Sequence, residues 1–202
     1  MFDLAKEFLE ALIMALVVFF FLQVSVQNFQ LEGSSMYPTL ESGEYVTVNK
    51  LAYLKVNMDK FSDIIPFWDA SGQEEMTPFQ KDGPQRGSIV VFSYPRDPAR
   101  SFVKRVIGVP GDQVSIRDGY TYLNGKLLDE PYVAGTERAR GEYMDFKTLG
   151  PDEFFVMGDN RTHSNDSRHW GPLGIDYIIG NKWVAYDLPL KIGFINQTEA
   201  PN

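Results

Sequence analysis

A serine and a lysine in this sequence offer a route to nucleophilic catalysis. Ser35 lies in a short, turn-prone stretch of small residues that leads into Pro38. Such a stretch can expose a hydroxyl and leave a backbone N–H free to bind a developing oxyanion. A serine of this kind is more often simply part of a loop, so the pattern alone is weak. Ser35 is therefore a candidate nucleophile that needs a base.

Lys104 is the candidate base. A lysine accepts a proton near neutral pH only when an apolar environment lowers its pKa. Lys104 lies in a strand-like run in which side chains alternate between two faces. It shares a face with Phe102 and Val106, whereas Arg105 points to the other face. The alternative interpretation is a lysine on an edge strand that prevents aggregation.

The remaining composition argues against other kinds of site. The chain has no cysteine, which excludes disulfides, thiolate metal sites and cysteine nucleophiles. Its two histidines, His163 and His169, lie six residues apart without an HExxH pattern, so we expect no metal and no cofactor. A net charge of −8 and the absence of a glycine-rich phosphate loop argue against a nucleic-acid partner. Ser167, His169 and Asp166 are too close in sequence to adopt the geometry of a catalytic triad easily.

The N-terminal segment is predicted to be a transmembrane helix over residues 8–26, preceded by a short tip, residues 1–7. All but three residues of this segment are apolar, and the run Ala11–Leu22 is unbroken. About 20 apolar residues let a helix cross a bilayer. A buried helix would carry a polar stripe, and a secretory signal would begin with basic residues. Lys6, the only nearby basic residue, weakly favours a cytoplasmic N-terminus.

Beyond residue 28 the sequence predicts a mainly β domain. Short runs of β-branched and aromatic residues recur between Gly, Pro and Asp signals. The predicted strands are Tyr45–Val48, Ser88–Phe92, Phe102–Ile107, Gln113–Ile116, Tyr120–Leu123, Phe154–Met157 and Lys182–Tyr186. Asn124 and Gly125 form a two-residue hairpin signal between two such runs. Residues 54–86 and 134–147 lack periodicity, and the first of these stretches is interpreted as an insertion.

Four stretches, taken together, resemble the type I signal peptidase family. Residues 35–40, Ser-Met-Tyr-Pro-Thr-Leu, resemble the box around the family's nucleophile, and residues 45–53 resemble the strand that follows it. Residues 86–112 resemble the lysine box, with Lys104 at the position of the lysine. Residues 158–171, which begin Gly-Asp-Asn-Arg, resemble the family's final box. The order of the four, after an apolar segment, makes a chance match very improbable.

The resemblance implies a membrane-anchored serine endopeptidase that removes N-terminal signal peptides from exported preproteins. Ser35 would be the nucleophile, and Lys104 would be its general base. The backbone N–H of Ser35 would bind the oxyanion. Ser164 matches a serine that hydrogen-bonds and orients the lysine. The residues that match structural supports of this region are Asp159, Asp166 and Arg168.

The resemblance also implies small apolar pockets that accept Ala-like residues at the first and third positions before the cut. The residues that would line them are Phe29, Leu31, Met36, Leu40, Phe102 and Val103. Gly33 stands where some members carry a serine that completes the oxyanion hole, so a backbone group or a water would supply the second donor. The expected partners are exported preproteins and the lipid bilayer. The expected location is the bacterial cytoplasmic membrane, with one span and the catalytic domain outside.

The family's fold implies a transmembrane helix followed by a coiled-sheet catalytic core with an inserted, smaller β cap. We expect the core to comprise residues 27–118 and 154–202, with residues 54–86 as an inserted excursion. The cap is expected at residues 119–153, which contain the hairpin signal. The domain organisation is thus one catalytic unit with a membrane helix and two insertions.

Three alternatives stay open on the sequence. A self-cleaving repressor-type protease shares the Ser/Lys chemistry, but it would be soluble and would carry a DNA-binding segment. The apolar segment and the negative charge argue against it. A peptidase specialised for one exported substrate, and an inactive module that holds exported chains, would both retain the fold. Loss of Ser35 or Lys104 would mark the inactive module, and both residues are present.

Overall fold

The computed structural model describes residues 2–49, 83–133, 141–145, 148–187 and 191–193. Most of the predicted insertion at residues 54–86 lies outside the described residues, as do parts of the irregular stretch 134–147. The described helices are α1 (Phe2–Ser25), α2 (Ser167–Trp170) and the 3₁₀ turns Arg161–His163 and Ile175–Tyr177. The described strands are β1 (Val26–Gln30), β2 (Tyr45–Asn49), β3 (Ile89–Tyr94), β4 (Asp97–Gly108), β5 (Val114–Arg117), β6 (Tyr120–Leu123), β7 (Lys126–Leu127), β8 (Tyr143–Asp145), β9 (Glu153–Met157), β10 (Leu173–Gly174), β11 (Ile178–Asp187) and β12 (Lys191–Gly193).

Helix α1 forms from a segment without glycine or proline, the two residues that most disfavour a helix interior. Lys6 and Glu10 are one turn apart, and the Lys6 Nζ atom lies 3.8 Å from Glu10 Oε1. Apolar side chains along its middle are exposed, namely Phe8, Leu9, Leu12, Ile13, Met14, Leu16, Val17, Val18, Phe19 and Phe20. Measured over the described residues alone, no helix has the length and apolarity that a membrane crossing requires.

The larger sheet contains the strands that surround the candidate site. Its order among the described residues is β1-β2-β11-β3-β4-β9-β10, with β12 paired to β11, and every pairing is antiparallel. Register shifts interrupt the pairings of β11 with β2 and β3, of β3 with β4 and of β4 with β9. Such irregularities bend a strand and increase its twist, so the sheet curls. Beyond α1, most of the described elements are strands, so the fold is mainly β, as the sequence predicts.

The seven predicted strands all overlap strands of the structure, and the prediction of β structure is confirmed at those positions. β4 begins five residues before the predicted start, and β11 begins four residues before it. β1 follows α1 without a break, and the sequence pattern does not predict it. Its residues, Val26–Gln30, include three amides and lack the alternation that signals a strand.

A smaller sheet has the order β7-β6-β5-β8. The hairpin between β6 and β7 turns through Asn124, with a φ of 52°, and Gly125, with a φ of 80°. Positive φ at both central residues is the requirement of a type I′ turn, so the hairpin prediction is confirmed. The sheet begins at β5, before the expected start of the cap at residue 119. The division of the chain into domains stays a prediction.

Among the described residues, three apolar clusters cover both faces of the larger sheet. On β3, Ile89 and Val91 join one cluster, whereas Val90 and Phe92 join another, because side chains alternate along a strand. A third cluster joins the two sheets: Ile107, Val114, Ile116, Leu123, Leu149, Phe155 and Met157. The smaller sheet thus shares a core with β4 and β9, which carry or flank the candidate site residues.

Candidate active site

The loop between β1 and β2 presents Ser35. Its two ends are closed by backbone hydrogen bonds, from the Leu31 N–H to the Glu44 carbonyl at 2.8 Å and from the Gly43 N–H to the Leu31 carbonyl at 2.9 Å. Met36 is buried beneath the loop in the first apolar cluster, while Ser35 stays half-buried at its surface. Burial of one such side chain contributes about 1.5–3 kcal/mol, so Met36 holds the loop against the sheet.

Lys104 reaches Ser35 from β4. The Lys104 Nζ atom lies 2.7 Å from Ser35 Oγ and 2.8 Å from the carbonyl oxygen of Val103. Lys104 is 4% exposed. Its register partner across the sheet is Val90, and its Nζ lies 5.3 Å from the centre of the Phe102 ring. The structure therefore brings the predicted nucleophile and the predicted base into hydrogen-bond contact on an apolar face.

Burial changes the protonation of this lysine. It lowers the pKa of Lys104 from 10.5 to about 8, and the negative charges of Asp166 and Asp159 oppose this shift only in part. At pH 7 a pKa of about 8 leaves roughly one lysine in ten neutral, compared with about one in three thousand at the ordinary pKa. The site thus supplies a free amine at neutral pH, which general-base catalysis requires.

An open pocket of about 380 Å³ adjoins the dyad. Ser35, Lys104 and Gly33 all line this pocket. All six side chains that the sequence assigns to substrate pockets line this one cavity: Phe29, Leu31, Met36, Leu40, Phe102 and Val103. Glu32 and Arg100 add charged groups to the lining. The pocket thus presents both apolar and polar groups directly beside the candidate nucleophile.

Asp159 is a completely buried carboxylate that supports the serine loop. The Arg105 guanidinium donates to both of its oxygens, at 2.8 and 2.7 Å, and also donates to the Gly87 carbonyl at 2.9 Å. The Thr39 hydroxyl, in the serine loop, donates to Asp159 as well. The alternation along β4 predicts that Arg105 faces away from Lys104, but it does not identify Asp159 as its partner. These contacts tie the serine loop to the segment after β9.

Asp166 and Arg168 form a second buried ion pair. The Arg168 backbone N–H and guanidinium donate to Asp166, with a shortest distance of 2.8 Å, and the Gly158 N–H donates to it at 3.1 Å. Burial by itself would raise the pKa of Asp166, but the hydrogen bonds and charge of Arg168 hold it below its usual value. Arg168 also donates to the Arg161 carbonyl at 2.7 Å, and Arg161 pairs with buried Glu130. No local pattern in the sequence predicts that Arg161 and Glu130 belong to this network.

Ser164 does not make the hydrogen bond to Lys104 that the resemblance implies. Its side chain is buried, and its hydroxyl makes no hydrogen bond of ordinary distance and angle with any residue that the structure describes. It lies near enough to Asp166 to help keep the pKa of that carboxyl low. The Lys104 amine instead donates to the Val103 carbonyl at 2.8 Å, in addition to its contact with Ser35.

The other candidates from the sequence lie apart from this chemistry. The Ser167 hydroxyl is buried and accepts a hydrogen bond from the Val156 N–H at 3.0 Å, while the neighbouring His169 is exposed. Ser167, His169 and Asp166 therefore do not form a triad. His163 is exposed beside Asn160, with its Nδ1 3.3 Å from the Asn160 amide oxygen. Across the described ranges, no group of three metal-ligating side chains is placed to hold a metal ion.

Comparison with known proteins relates this geometry to a family. A family model described as signal peptidase, peptidase S26, matches residues 4–186. Signal peptidase I of Pseudomonas aeruginosa is 34% identical over 197 residues, which cover 83% of this chain and 62% of that protein. Signal peptidase I of Bacillus caldolyticus is 36% identical over 170 residues, which cover 79% of this chain and 78% of that protein. Signal peptidase IB of Staphylococcus aureus is 32% identical over 194 residues, with 87% of each chain covered.

A crystal structure of a signal peptidase I from Enterococcus faecalis is similar with a TM-score of 0.44 and 32% identity, and the match covers 48% of this chain and 95% of that chain. The chain spans less than two thirds of the length of its Pseudomonas relative. The family match nevertheless extends over residues 4–186, and relatives above 30% identity align with most of the chain. The chain therefore belongs to the signal peptidase family, peptidase S26.

Proposed function

We propose that this chain is a serine endopeptidase that removes N-terminal signal peptides from exported preproteins, with Ser35 as nucleophile and Lys104 as general base. The observation that carries the proposal is the 2.7 Å contact between Lys104 Nζ and Ser35 Oγ at the wall of an open pocket. A hydroxyl is a weak nucleophile unless a base within hydrogen-bond reach removes its proton. A lysine whose pKa burial lowers to about 8 is such a base.

In the first step the Ser35 oxygen attacks the carbonyl carbon of the bond to be cut. A carbon–oxygen bond forms, and the hydroxyl proton passes to the neutral Lys104 amine. The carbonyl oxygen becomes an oxyanion, which the Ser35 N–H stabilises. This N–H donates no hydrogen bond to any residue that the structure describes, which leaves it available.

In the second step the tetrahedral intermediate breaks its carbon–nitrogen bond. Lys104 returns the proton to the leaving amine, and an ester between Ser35 and the signal peptide remains. A water molecule then attacks the ester carbonyl, with Lys104 again taking the proton. Lys104 then gives this proton to the Ser35 oxygen as the ester bond breaks and the signal peptide leaves. Gly33 has no side chain that could donate a second hydrogen bond to the oxyanion. In this proposal the second donor is a backbone group or a water.

Specificity for Ala-x-Ala sites is assigned in this proposal to the apolar side chains in the lining of the pocket beside the nucleophile. Seven apolar side chains line this pocket, among them Met36 and Leu40 from the serine loop and Phe102 and Val103 from β4. An apolar lining favours alkyl side chains through the hydrophobic effect, and each extra buried CH₂ contributes about 0.8 kcal/mol where space allows. The preference for alanine over larger alkyl side chains follows the expectation from the family resemblance.

The proposal includes anchoring to the bacterial cytoplasmic membrane by residues 8–26, with the catalytic domain on the outer side. The unbroken apolar run Ala11–Leu22 and the exposed apolar side chains along α1 support it. Ser35 follows Val26 by nine residues, so an extended connection places it within roughly 30 Å of the bilayer. Extraction of the full chain from membranes with alkaline carbonate tests the anchor, because a helix that only contacts the surface is released into the soluble fraction.

The proposed activity is tested with the full chain in detergent and a preprotein that carries an Ala-x-Ala site. We expect the wild type to cut after the second alanine and Ser35→Ala and Lys104→Ala to be inactive but folded. Lys104→Arg is also expected to be inactive, because a guanidinium does not lose its proton near neutral pH. Lys126→Ala, on the exposed hairpin, is the matched control and keeps wild-type activity. An active Lys104→Arg variant would exclude Lys104 as the base.

A further inference from the structure

Asn160 contacts the serine loop at two adjacent peptide groups. Its backbone N–H donates to the Ser35 carbonyl at 3.0 Å, and its side-chain amide nitrogen donates to the Ser34 carbonyl at 3.1 Å. The Tyr37 N–H donates to the same Ser34 carbonyl at 3.1 Å. Asn160 thus contacts the backbone on either side of the nucleophile without contacting the Ser35 hydroxyl or Lys104.

The contact with the Ser34 carbonyl determines the direction of the Ser35 N–H. The carbonyl of one residue and the N–H of the next lie in one rigid peptide plane and point in opposite directions when the bond is trans. Hydrogen bonds that hold the Ser34 oxygen therefore hold the plane and point the Ser35 N–H to the opposite side. That N–H is the oxyanion donor of the proposed function.

The Asn160 amide is itself oriented. The Thr162 hydroxyl donates to the amide oxygen at 3.4 Å, and the His163 Nδ1 lies 3.3 Å from the same oxygen. These neighbours leave the amide nitrogen to face Ser34. The segment can approach so closely because residue 158 is glycine. A Cβ there would lie 2.4 Å from the Ser35 carbonyl oxygen, far inside a normal contact.

We propose that Asn160 is a positioning residue: its side-chain amide orients the Ser34–Ser35 peptide group so that the Ser35 N–H points toward the oxyanion. This inference rests on the proposed function, because it concerns the oxyanion donor of that reaction. Loss of an oxyanion-hole donor lowers kcat about 10²–10³-fold in serine proteases. A donor that is present but free to rotate retains part of its effect, so we expect loss of the Asn160 amide to lower kcat about 10–100-fold.

The first experiment compares two variants in the full chain. Asn160→Ala keeps the backbone N–H but removes the side-chain donor, and Asn160→Asp keeps the shape but replaces the donor with an acceptor. We expect kcat for the preprotein, measured above the rising part of the pH profile, to fall about 10–100-fold in both, with KM changed less than about twofold. Asn28→Ala, which removes an exposed asparagine whose oxygen accepts from Thr47, is the matched control and is expected to match the wild type.

The pH dependence separates orientation of the donor from a change around Lys104. Asn160→Ala removes no charge, so the rising limb of its pH–rate profile is expected to keep the wild-type midpoint while the plateau falls. A purely structural defect that opened the site would also change the environment of Lys104 and move that midpoint. An unchanged midpoint with a lower plateau therefore supports the positioning role.

A peptide aldehyde that ends in Ala provides a second readout. The Ser35 oxygen adds to its carbonyl carbon while the hydroxyl proton passes to Lys104, and the aldehyde oxygen becomes an oxyanion. The peptide amide of the same sequence binds without this charge. We expect Asn160→Ala to weaken aldehyde binding by about the factor lost in kcat and to leave binding of the amide within about twofold.

The outcomes distinguish this inference from the function on which it rests. If the wild type does not cut the preprotein, the proposed function fails. If the wild type cuts and both Asn160 variants retain its kcat and aldehyde affinity, the positioning role is wrong and the proposed function stands. An equal loss of aldehyde and amide binding, accompanied by a lower melting temperature, would also overturn the inference, since Asn160 would then only support the loop.

Discussion

Replacement of Lys104 by methionine should remove a pH-dependent cost of folding. In the folded chain the Lys104 amine is 4% exposed, and burial lowers its pKa from 10.5 to about 8. The unfolded chain keeps the ordinary pKa and so binds more protons between these two values. Stability then rises with pH across this window, because the unfolded state loses its advantage as its lysine is deprotonated.

The magnitude follows from the same two pKa values. A difference of about 2.5 pKa units corresponds to about 3.4 kcal/mol at low pH. Between pH 7 and pH 10 the wild type should gain about 2.5 kcal/mol of unfolding free energy from Lys104 alone. Lys104→Met keeps a similar length and apolar volume but cannot titrate, so this gain should be absent. Loss of the contacts to Ser35 and Val103 changes its stability by a constant amount at both pH values.

The assay is denaturant unfolding of both proteins in the same detergent at several pH values from 7 to 10. The quantity of interest is the wild-type gain minus the gain of Lys104→Met, since the other titrating groups are common to both and cancel. Lys126→Met, a replacement at an exposed lysine, controls for the loss of one positive charge. A subtracted gain below about 0.5 kcal/mol would refute the reasoning, because Lys104 would then titrate alike in both states.

Three further predictions concern the dyad and its supports. The kcat/KM for preprotein cleavage should rise with pH around a midpoint near 8, where Lys104 loses its proton, and a midpoint below 6 would indicate a carboxylate base. Asp166→Asn should move this midpoint to lower pH, since the carboxylate favours protonated Lys104, and an unmoved midpoint in a folded variant would contradict the assigned cause. Leu40→Ala, at a side chain that is 2% exposed, should cost about 2–5 kcal/mol in chemical denaturation and lower activity with it, whereas a loss below 1 kcal/mol would show that the loop does not depend on this contact.

Local patterns in the sequence predicted much of the β structure. The strands recur as runs of β-branched and aromatic residues. The turn at Asn124 and Gly125 is predictable because a type I′ turn requires positive φ at both central residues, and Asn and Gly adopt positive φ readily. The alternation of side chains placed Lys104 and Phe102 on one face of β4 and Arg105 on the other, and the structure has this arrangement. These features are readable because each depends on neighbours within a few residues.

Contacts between distant parts of the chain could not be read in this way. Arg105 has a clear position on its strand, but its partner Asp159 lies 54 residues further along the chain. Ser164 matches a family position, yet its hydroxyl makes no hydrogen bond to Lys104 in the folded site. The sequence places Asn160 in a family motif but does not predict what it contacts. Its two contacts with the serine loop depend on how β9 pairs with β4.

The sequence by itself determined which side chains have the chemical types needed for the proposed reaction, and on which kind of element each one lies. Only the tertiary structure decided that Lys104 lies 2.7 Å from Ser35, although 69 residues separate them. It also decided the acidity of Lys104, because the pKa depends on how completely the surrounding strands and loop exclude water from the amine. Residue type is a property of one position, whereas burial and distance are properties of the whole packed chain.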